Sequence, residues 1–150
     1  MARGRPGGGG HGLECFVTAQ DPWSALDRGI EDDLVPFCAE QNVGILPYYP
    51  LAKGLLTGKY RRDATPEGSR LKGSGDLSRA DFETIEQLEQ FANSRGHSLL
   101  TLAVSWLASQ PVTASVISGA TRVEQLAQNA AAADWKMTPE DFAEIDRILG

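Results

Sequence analysis

The sequence predicts an α/β fold with a parallel sheet, because short apolar segments alternate with helical patterns. Segments 15–20, 43–49 and 112–119 are short and β-prone, and each is followed, directly or after a loop, by a stretch with apolar residues at helical spacing. Strands that are joined through helices run parallel. Three strands leave two open sheet edges and too little sheet to support a helical layer. The pattern therefore predicts part of a larger α/β architecture.

Length, charge and cysteine content exclude several function classes. The chain has 150 residues, which is enough for one domain with a real core. Its net charge of -6 argues against a nucleic-acid surface. No apolar run approaches the roughly 20 residues that a membrane span needs. Cys15 and Cys38 show neither metal-ligand nor redox-motif spacing, so we expect reduced core cysteines in a cytoplasmic protein.

The N-terminal residues differ in composition from the rest of the chain. Residues 1–14 are rich in glycine and hold too little apolar content to fold, so they are predicted to be a disordered tail. They also lack the apolar core of a secretory signal. The folded region is expected to cover residues 15–150. The tail is interpreted as a flexible start or as the scar of a truncated gene.

The first strand is followed by a helix that is predicted from about residue 26 to residue 41. Its apolar residues recur at helical spacing, and Ser24 or Asp27 is expected to cap it. Pro36 is expected to bend this helix or to mark a fresh first turn. Asn42 suits the helix exit.

The second strand leads into a proline-flanked aromatic pair and then into a Gly-rich loop that carries a lysine. From residue 50 to residue 75 the chain is rich in Gly, Pro and charge, without a lasting period. A stretch of this length without regular structure is usually functional or mobile. The order places an aromatic ring, backbone amides and a cation together at the carboxyl end of a strand, where ligands collect in α/β proteins.

Four further helices are predicted in the second half of the chain. Residues 81–94 have one apolar face, and residues 99–109, capped by Ser98, are apolar nearly all round and therefore buried. A helix over 121–133 follows the third strand. The last helix starts at Thr138, with a cap residue, a proline at the first helical position and acids in the first turn.

Two long segments and one strand resemble the aldo-keto reductases. Residues 48–60 are similar to the family's Y-S-P-L-A-x-G-L-L-T-G-K-Y segment, and residues 117–129 to its I-x-G-A-x-x-x-E-Q-L-x-x-N segment. Residues 16–20 look like the strand that carries the family's nicotinamide-binding glutamine. The match runs from about residue 15 to residue 150 in the family's order.

The resemblance implies a (β/α) TIM barrel of eight strands that binds NADPH at the carboxyl ends of its strands. This chain is then a partial barrel, roughly the last three β/α units plus a C-terminal helix. The first five strands, with the family's catalytic Asp, Tyr, Lys and His, are expected to lie outside the chain. His11 sits in the Gly-rich tail and His97 ends a helix, so neither is expected to replace them. We therefore expect no catalytic residue here.

The resemblance also assigns the nicotinamide contacts. Gln20 would hydrogen-bond the carboxamide, because its amide offers both a donor and an acceptor. A polar strand end is the alternative for Gln20. Tyr48 would stack on the nicotinamide ring and so fix the face that delivers hydride. Tyr49 stands where the family usually has serine, and an alternating strand would bury one tyrosine of this pair and present the other.

The pyrophosphate is implied to lie against the loop after the second strand. The backbone amides of Leu51, Ala52 and Gly54 would face it, and Lys59 and Arg70 would add positive charge. Lys59 follows the motif register directly.

The adenosine part of the cofactor is assigned by the resemblance to the third strand–helix unit: Gly119, Ala120, Thr121, Arg122, Gln125 and Asn129. The first three begin the helix, where unpaired amides suit a phosphate. Arg122 lies near enough to serve a 2′-phosphate, which favours NADP over NAD. On a plain interpretation, Gln125 and Asn129 are the polar face of an amphipathic helix.

The leading hypothesis is the NADP(H)-binding half of an oxidoreductase whose complete family reduces aldehydes and ketones by hydride transfer from NADPH. A carbonyl substrate is expected only if the other half is supplied. The alternatives are a non-catalytic nucleotide-binding or regulatory module, as in the family's potassium-channel β-subunits, or an inert gene fragment. Neither nucleic acid nor membrane is expected as a partner. Self-association through the exposed strand edges is predicted.

Overall fold

The computed structural model describes residues 16–60 and 80–150. The predicted N-terminal tail and Arg70 lie outside these residues. The described elements are β1 (Thr18–Ala19), α1 (Leu34–Gln41), β2 (Gly44–Ile45), a 3-10 helix (Ala52–Thr57), α2 (Phe82–Ser94), α3 (Leu99–Ala108), α4 (Val123–Ala131) and α5 (Pro139–Leu149). Within the described ranges, no helix has the length and apolar character that crossing a membrane requires.

The sheet is parallel, as predicted. β1 pairs with β2, with Thr18 opposite Gly44 and Ala19 opposite Ile45. The segment after α3 lies on the other side of β2, where Thr113 forms a parallel bridge with Ile45. β2 is therefore the middle strand. Its alternate N–H groups face opposite neighbours, so the N–H of Ile45 donates to Val112 while that of Gly44 donates to Val17.

The third predicted strand, residues 112–119, is not continuous, and Pro47 explains why. Three residue steps separate Ile45 from Tyr48, but four separate their bridge partners Thr113 and Ile117. A regular ladder would require an N–H at Pro47, which proline lacks. The N–H of Ile117 instead donates to the carbonyl of Pro47 at 2.8 Å. The segment between Thr113 and Ile117 therefore has one extra residue and forms a bulge opposite Pro47. Proline is tolerated in sheets at bulges of this kind.

α1 begins later than the predicted residue 26. Asp33 is its N-cap and accepts a hydrogen bond from the N–H of Leu34. Pro36 lies in the first turn of α1, where backbone N–H groups have no partner within the helix, so the absence of an N–H on proline loses no hydrogen bond. The prediction that Pro36 marks a first turn is confirmed. Asn42 ends the helix in the left-handed conformation, with φ 55°, as expected for the exit.

The turn before α1 is built by two polar side chains rather than by helix. The hydroxyl of Ser24 accepts from the two amides that lie two and three residues further on, at 3.3 and 3.1 Å. Arg28 donates to Glu31 and, at 2.6 Å, to Asp146 of α5. Its guanidinium also lies 5.4 Å from the ring centre of Trp106. The hydrogen bond to Glu31, followed by that to Asp146, raises the pKa of Arg28 against the effect of burial.

The core lies between the sheet and helices α2, α3 and α5. As predicted, α3 is buried nearly all round, and the hydroxyl of its N-cap Ser98 accepts from the N–H of Thr101 at 3.1 Å. The largest fully buried side chains of the core include Trp23, Ile45, Leu56, Ile85, Leu88, Leu99, Leu102, Trp106, Leu107 and Ile145. Trp23 packs edge-on against Trp106 with ring centres 5.6 Å apart.

α5 starts as the sequence predicts. Thr138 accepts from the N–H of Asp141, and Asp141 accepts in return from the N–H of Thr138, which completes a capping box. Asp141 is buried and forms an ion pair with Arg95 at 3.1 Å. The start of α5 is thereby fixed to the end of α2.

α4 is shorter than the predicted 121–133 and has no buried residue. Its apolar side chains point outward, with Val123 79% and Leu126 62% exposed. Its partly covered positions are polar, namely Gln125 and Asn129. This helix thus turns its polar stripe toward the chain and its apolar stripe away from it.

Candidate functional site

Three chain segments meet side by side at the carboxyl edge of the sheet. Tyr48 forms parallel bridges with Pro22 on one side and with Ile117 on the other. The N–H of Tyr48 donates to Asp21, and the carbonyl of Tyr48 accepts from Trp23. Gln20 directly follows β1, and residues 118–121 directly follow Ile117, so Gln20, Tyr48 and this loop all lie at the same edge. The structure thus brings together the three segments that the sequence selected.

The two tyrosines at this edge form an edge-on pair. Their ring centres lie 5.0 Å apart with an interplanar angle of 70°. Tyr49 is 49% exposed, and Tyr48 is more covered. The backbone of Tyr49 has φ 57°, a left-handed value that is uncommon for a bulky residue. Residues with such backbone conformations cluster at functional sites. The turn therefore presents Tyr49 to solvent while Tyr48 stays in the sheet register.

The loop after Tyr49 has an unusual backbone. Ala52 and Lys53 have φ values of 45° and 59°, and Gly54 has 112°. The N–H of Ala52 donates to Tyr49 at 2.9 Å, and that of Gly54 donates to Leu51 at 2.7 Å. These two amides, which are predicted to face a pyrophosphate, thus donate within the loop in this structure. The amide of Leu51 makes no hydrogen bond to any other described residue.

A cavity of about 360 Å³ lies beside this loop. Its walls are formed by Trp23, Ser24, Leu26, Asp27, Tyr49, Ala52, Lys53, Leu55, Ala80 and Asp81. Two of the predicted site residues, Tyr49 and Ala52, belong to the wall. The cation at the wall is Lys53, which the sequence reasoning missed because the motif register selected Lys59. The glycine directly after Lys53 was the available signal, since it marks where the backbone turns sharply.

The loop of residues 118–121 is held by side chains of α4. The N–H and hydroxyl of Thr121 both donate to Gln125 Oε1, at 2.9 and 3.0 Å. Asn129 Nδ2 donates to the hydroxyl of Ser118 at 2.9 Å and to the carbonyl of Gly119 at 3.3 Å. Ser118 is a site residue that the sequence reasoning did not select. Gln125 and Asn129 face this loop and so do more than line a solvated polar face.

The same loop offers backbone donors next to a helix start. The amides of Ser118, Gly119 and Ala120 have no hydrogen-bond partner among the described residues. A Cβ placed on Gly119 would meet nothing within 4 Å, so the space in front of it is open. Arg122 is exposed at the N-cap of α4 and makes no side-chain capping bond. Unpaired amides, a helix N-terminus and an exposed cation together suit an anion.

Other reactive groups of the described chain lie away from this edge or are packed. The ring of His97 stacks on Trp135, with centres 4.4 Å apart at 14°. Burial, with a smaller contribution from Asp21, raises the pKa of the Cys38 thiol, which therefore stays protonated. Residues 16–60 and 80–150 contain no group of three or more side chains that could hold a metal ion.

A match to a protein-family model shows the family of this chain. The model of the aldo/keto reductase family matches residues 11–149, nearly the whole chain. This chain belongs to the aldo/keto reductase family. The family resemblance seen in the two motif segments is thus confirmed.

Relatives of this aldo/keto reductase chain include named enzymes and a channel subunit. It is 34% identical over 125 residues to an NADH-specific methylglyoxal reductase from Escherichia coli, covering 81% of this chain and 38% of the relative. It is 34% identical over 151 residues to a putative voltage-gated potassium channel subunit beta from Schizosaccharomyces pombe, covering 93% and 44%. The chain spans about two fifths of the length of these curated relatives.

A solved structure shows the same α/β fold. The structure of a glycerol dehydrogenase from Gluconobacter oxydans matches this aldo/keto reductase chain with a TM-score of 0.74 and 30% identity. The match covers 88% of this chain and 42% of the dehydrogenase.

Proposed function

We propose that this chain is the NADP(H)-binding, C-terminal part of an aldo-keto reductase. It would form the last three β/α units and the final helix of a TIM barrel. The observation that carries the proposal is the placement of Tyr48 between Pro22 and Ile117, because it aligns the three cofactor segments at one sheet edge. The match to about two fifths of a glycerol dehydrogenase structure supports a partial barrel.

The cofactor would lie across the carboxyl edge of the sheet. Gln20 would bind the nicotinamide carboxamide, and Tyr48 would stack on the ring with Tyr49 beside it. The pyrophosphate would lie near the amide of Leu51. In the loop that follows, the amides of Ala52 and Gly54 serve the turn, and Gly54 keeps the left-handed backbone that the turn needs.

Positive charge would come from the loop after the second strand and from the start of α4. Lys53 at the cavity wall, with Lys59 and Arg70 further along the chain, would neutralise the pyrophosphate. The amides of residues 118–120 would receive the adenosine phosphate, next to Thr121. Arg122 favours NADP, although one relative is named as NADH-specific.

The chemistry would be divided between this chain and the rest of a barrel. The bound dinucleotide supplies the hydride that reduces an aldehyde or ketone. The residues of this chain bind it and fix the face of its ring through Tyr48. Proton transfer to the carbonyl oxygen would depend on a tyrosine, lysine and histidine relay outside this chain. A buried free Cys38 fits a cytoplasmic setting, in which thiols stay reduced.

Titration of the 150-residue chain with NADPH and with NADH tests the binding step. We expect enhanced NADPH fluorescence on binding, a loss of affinity for both dinucleotides in Tyr48→Ala, and retained affinity in Tyr48→Phe, which keeps a ring. Arg122→Ala should weaken NADPH and leave NADH unchanged. No binding of either dinucleotide by a folded wild-type chain would refute the proposal.

The catalytic step is tested by adding the β/α units that these 150 residues do not include. A segment that carries the first five β/α units of an aldo-keto reductase, mixed with this chain, should restore aldehyde consumption. Tyr48→Ala in the mixture should lower the rate, because the ring loses its stacking partner. Turnover by this chain alone would contradict the division of roles.

A regulatory, non-catalytic module is the second candidate. It is favoured by the similarity to a protein named as a potassium channel subunit beta. Dinucleotide binding without aldehyde consumption, also in the presence of the complementing segment, would support this function. If the chain binds neither dinucleotide and shows no cooperative unfolding transition, the result would support an inert fragment.

A further inference from the structure

We infer that the ion pair of Arg28 with Glu31 positions Tyr48 at the carboxyl edge of the sheet. The ion pair acts through Trp23, whose side chain contacts the pair and whose backbone contacts Tyr48. This role rests on the proposed function in one respect, because Tyr48 is taken to be the residue that stacks on the nicotinamide ring. The contacts themselves lie within the chain and can be tested without a dinucleotide.

The backbone of Tyr48 depends on the segment that follows β1. The N–H of Tyr48 donates to the carbonyl of Asp21 at 3.1 Å, and the carbonyl of Tyr48 accepts from the N–H of Trp23 at 3.3 Å. Both polar backbone groups of Tyr48 thus bond to one segment of three residues. A displacement of Trp23 would therefore be passed directly to the backbone of Tyr48.

The side chain of Trp23 is held at two places. It is 1% exposed, and its ring packs edge-on against Trp106 with ring centres 5.6 Å apart. The indole N–H donates to Glu31 Oε1 at 2.9 Å. A buried N–H without a partner costs free energy, so this carboxylate oxygen fixes the orientation of the indole ring.

Arg28 keeps the carboxylate of Glu31 at the indole. Nε of Arg28 donates to both carboxylate oxygens, at 2.9 and 2.8 Å, and Nη2 lies 2.7 Å from Oε2. The guanidinium also lies 5.4 Å from the ring centre of Trp106, the same ring that Trp23 contacts. The side chain of Glu31 is only 24% exposed, so without the cation its charge would gain by turning toward water. The ion pair therefore maintains the hydrogen bond to Trp23.

The last helix of the chain anchors this ion pair. Nη1 of Arg28 donates to Asp146 Oδ1 of α5 at 2.6 Å, across 118 positions of sequence. One guanidinium thus contacts Glu31, Trp106 and Asp146, and its planar set of donors suits a fixed arrangement of this kind. α5 is thereby coupled to the edge at which Tyr48 lies.

Hydrogen exchange in the ligand-free chain of 150 residues tests the coupling. Arg28→Gln should speed exchange of the Tyr48 amide about fivefold, because the indole ring loses its fixed partner. The indole N–H of Trp23 should also exchange faster in this variant. Arg28→Lys keeps the charge but not the planar donors, so it should restore only part of the wild-type rate.

Variants of α5 supply the control and a milder test. Arg147→Gln removes the same type of side chain from an ion pair with Glu144 that lies within α5, and it should leave the Tyr48 amide unchanged. Asp146→Ala keeps the pair of Arg28 with Glu31 and removes only the anchor. It should speed Tyr48 exchange about twofold, as expected for an exposed ion pair, and it serves as the test if Arg28→Gln does not fold.

Binding of NADPH and NADH gives the second readout. Arg28→Gln should weaken both dinucleotides by a similar factor, about fivefold, because the nicotinamide ring is common to them. The same substitution should change neither affinity in a Tyr48→Ala chain, since the ring that it positions is already gone. A structural role of Arg28 that does not involve Tyr48 would instead give additive losses.

Two results separate this role of Arg28 from the proposed function. Unchanged exchange of the Tyr48 amide in Arg28→Gln, or an equal change in the Arg147→Gln control, would overturn the role, as would additive losses of affinity. Faster exchange at Tyr48 in Arg28→Gln alone would support it, even if the wild-type chain bound neither dinucleotide. The absence of binding would then refute the proposed function and leave the coupling in place.

Discussion

Ser105 is a fully buried hydroxyl that joins α3 to the segment after α4. It donates to the carbonyl of Ala132 at 2.7 Å and accepts from the N–H of Trp135 at 3.2 Å. Ser105→Ala leaves both groups buried without a partner, so the free energy of unfolding should fall by about 1–3 kcal/mol. Chemical denaturation measures the loss. Ser94→Ala, which removes an exposed hydroxyl, is the control, and an equal loss in both variants would contradict the argument.

Gly44 lies where β2 closely approaches Ala114 in the segment after α3. A Cβ at this position would stand 2.7 Å from the Cβ of Ala114, a distance that real side chains do not reach. Gly44→Ala should therefore lower the free energy of unfolding by about 1–3 kcal/mol through overpacking. Gly119→Ala is the matched control, because its Cβ would meet nothing within 4 Å. Thermal unfolding of the two variants compares them, and similar transition temperatures would show that the strands can move apart.

Some of the site residues are predictable from sequence motifs, and others depend on the local backbone. Gln20 and Tyr48 were selected by motif, and the strand register that brings their segments together is a consequence of regular pairing. Lys53 lies in a left-handed turn, which the following Gly54 signals but which the motif register does not select. The same turn uses the amides of Ala52 and Gly54 internally. The assignment of every site residue to a cofactor contact stays a prediction.

The start of α5 is an element whose stability can be measured by one residue. Thr138 accepts from the N–H of Asp141 and closes the capping box. Thr138→Ala should destabilise the chain by about 1 kcal/mol, and Thr138→Ser should retain most of the stability, because serine caps as well. Denaturation midpoints of both variants test this. Equal losses would mean that the methyl group, not the hydroxyl, stabilises the helix start.

Two glutamates of α5 should make the free energy of unfolding decrease at acidic pH. The hydrogen bond from Arg147 lowers the pKa of Glu144 below the ordinary 4.5, and hydrogen bonds with the backbone of Glu140 itself and then with Thr138 lower the pKa of Glu140. A lowered folded-state pKa stabilises above 4.5, and this contribution disappears as pH falls through the lowered value. Stability should thus decline below about pH 4.5. Glu144→Gln and Arg147→Gln should each flatten part of that decline. A double variant that flattened it further would show that these two residues act separately.

Elements were predictable where a local signal fixes their ends. Ser98, Thr138 and Asn42 mark helix ends in both the sequence and the structure. α1 starts later than its apolar spacing predicts, because that spacing continues into a turn that Ser24 and Arg28 build. The third strand was interrupted by a proline on its neighbour, an effect that lies across the sheet and not along the chain.

Apolar side chains are exposed at both outer edges of the sheet. Phe16 and Val17 are 93% and 54% exposed beside β1, and Ile117 is 40% exposed at the opposite edge. Exposed apolar patches of this kind mark interaction surfaces. A completed barrel would cover both ends, because closure removes sheet edges. The exposed surfaces thus fit a chain that covers about two fifths of its relatives.

The outward stripe of α4 predicts self-association of the isolated chain. Val123 and Leu126 are 79% and 62% exposed, and burying each would gain roughly 1.5–3 kcal/mol. Sedimentation velocity across a concentration series should show association, and the pair Val123→Gln with Leu126→Gln should weaken it about tenfold or more. The exchange of Glu124→Gln with Gln128→Glu keeps the composition of α4 and should leave association unchanged. If the complementing barrel segment covers the same stripe, adding this segment should dissociate the oligomers of the wild-type chain. A wild-type chain that stays monomeric at every concentration would show that this stripe tolerates water without a partner.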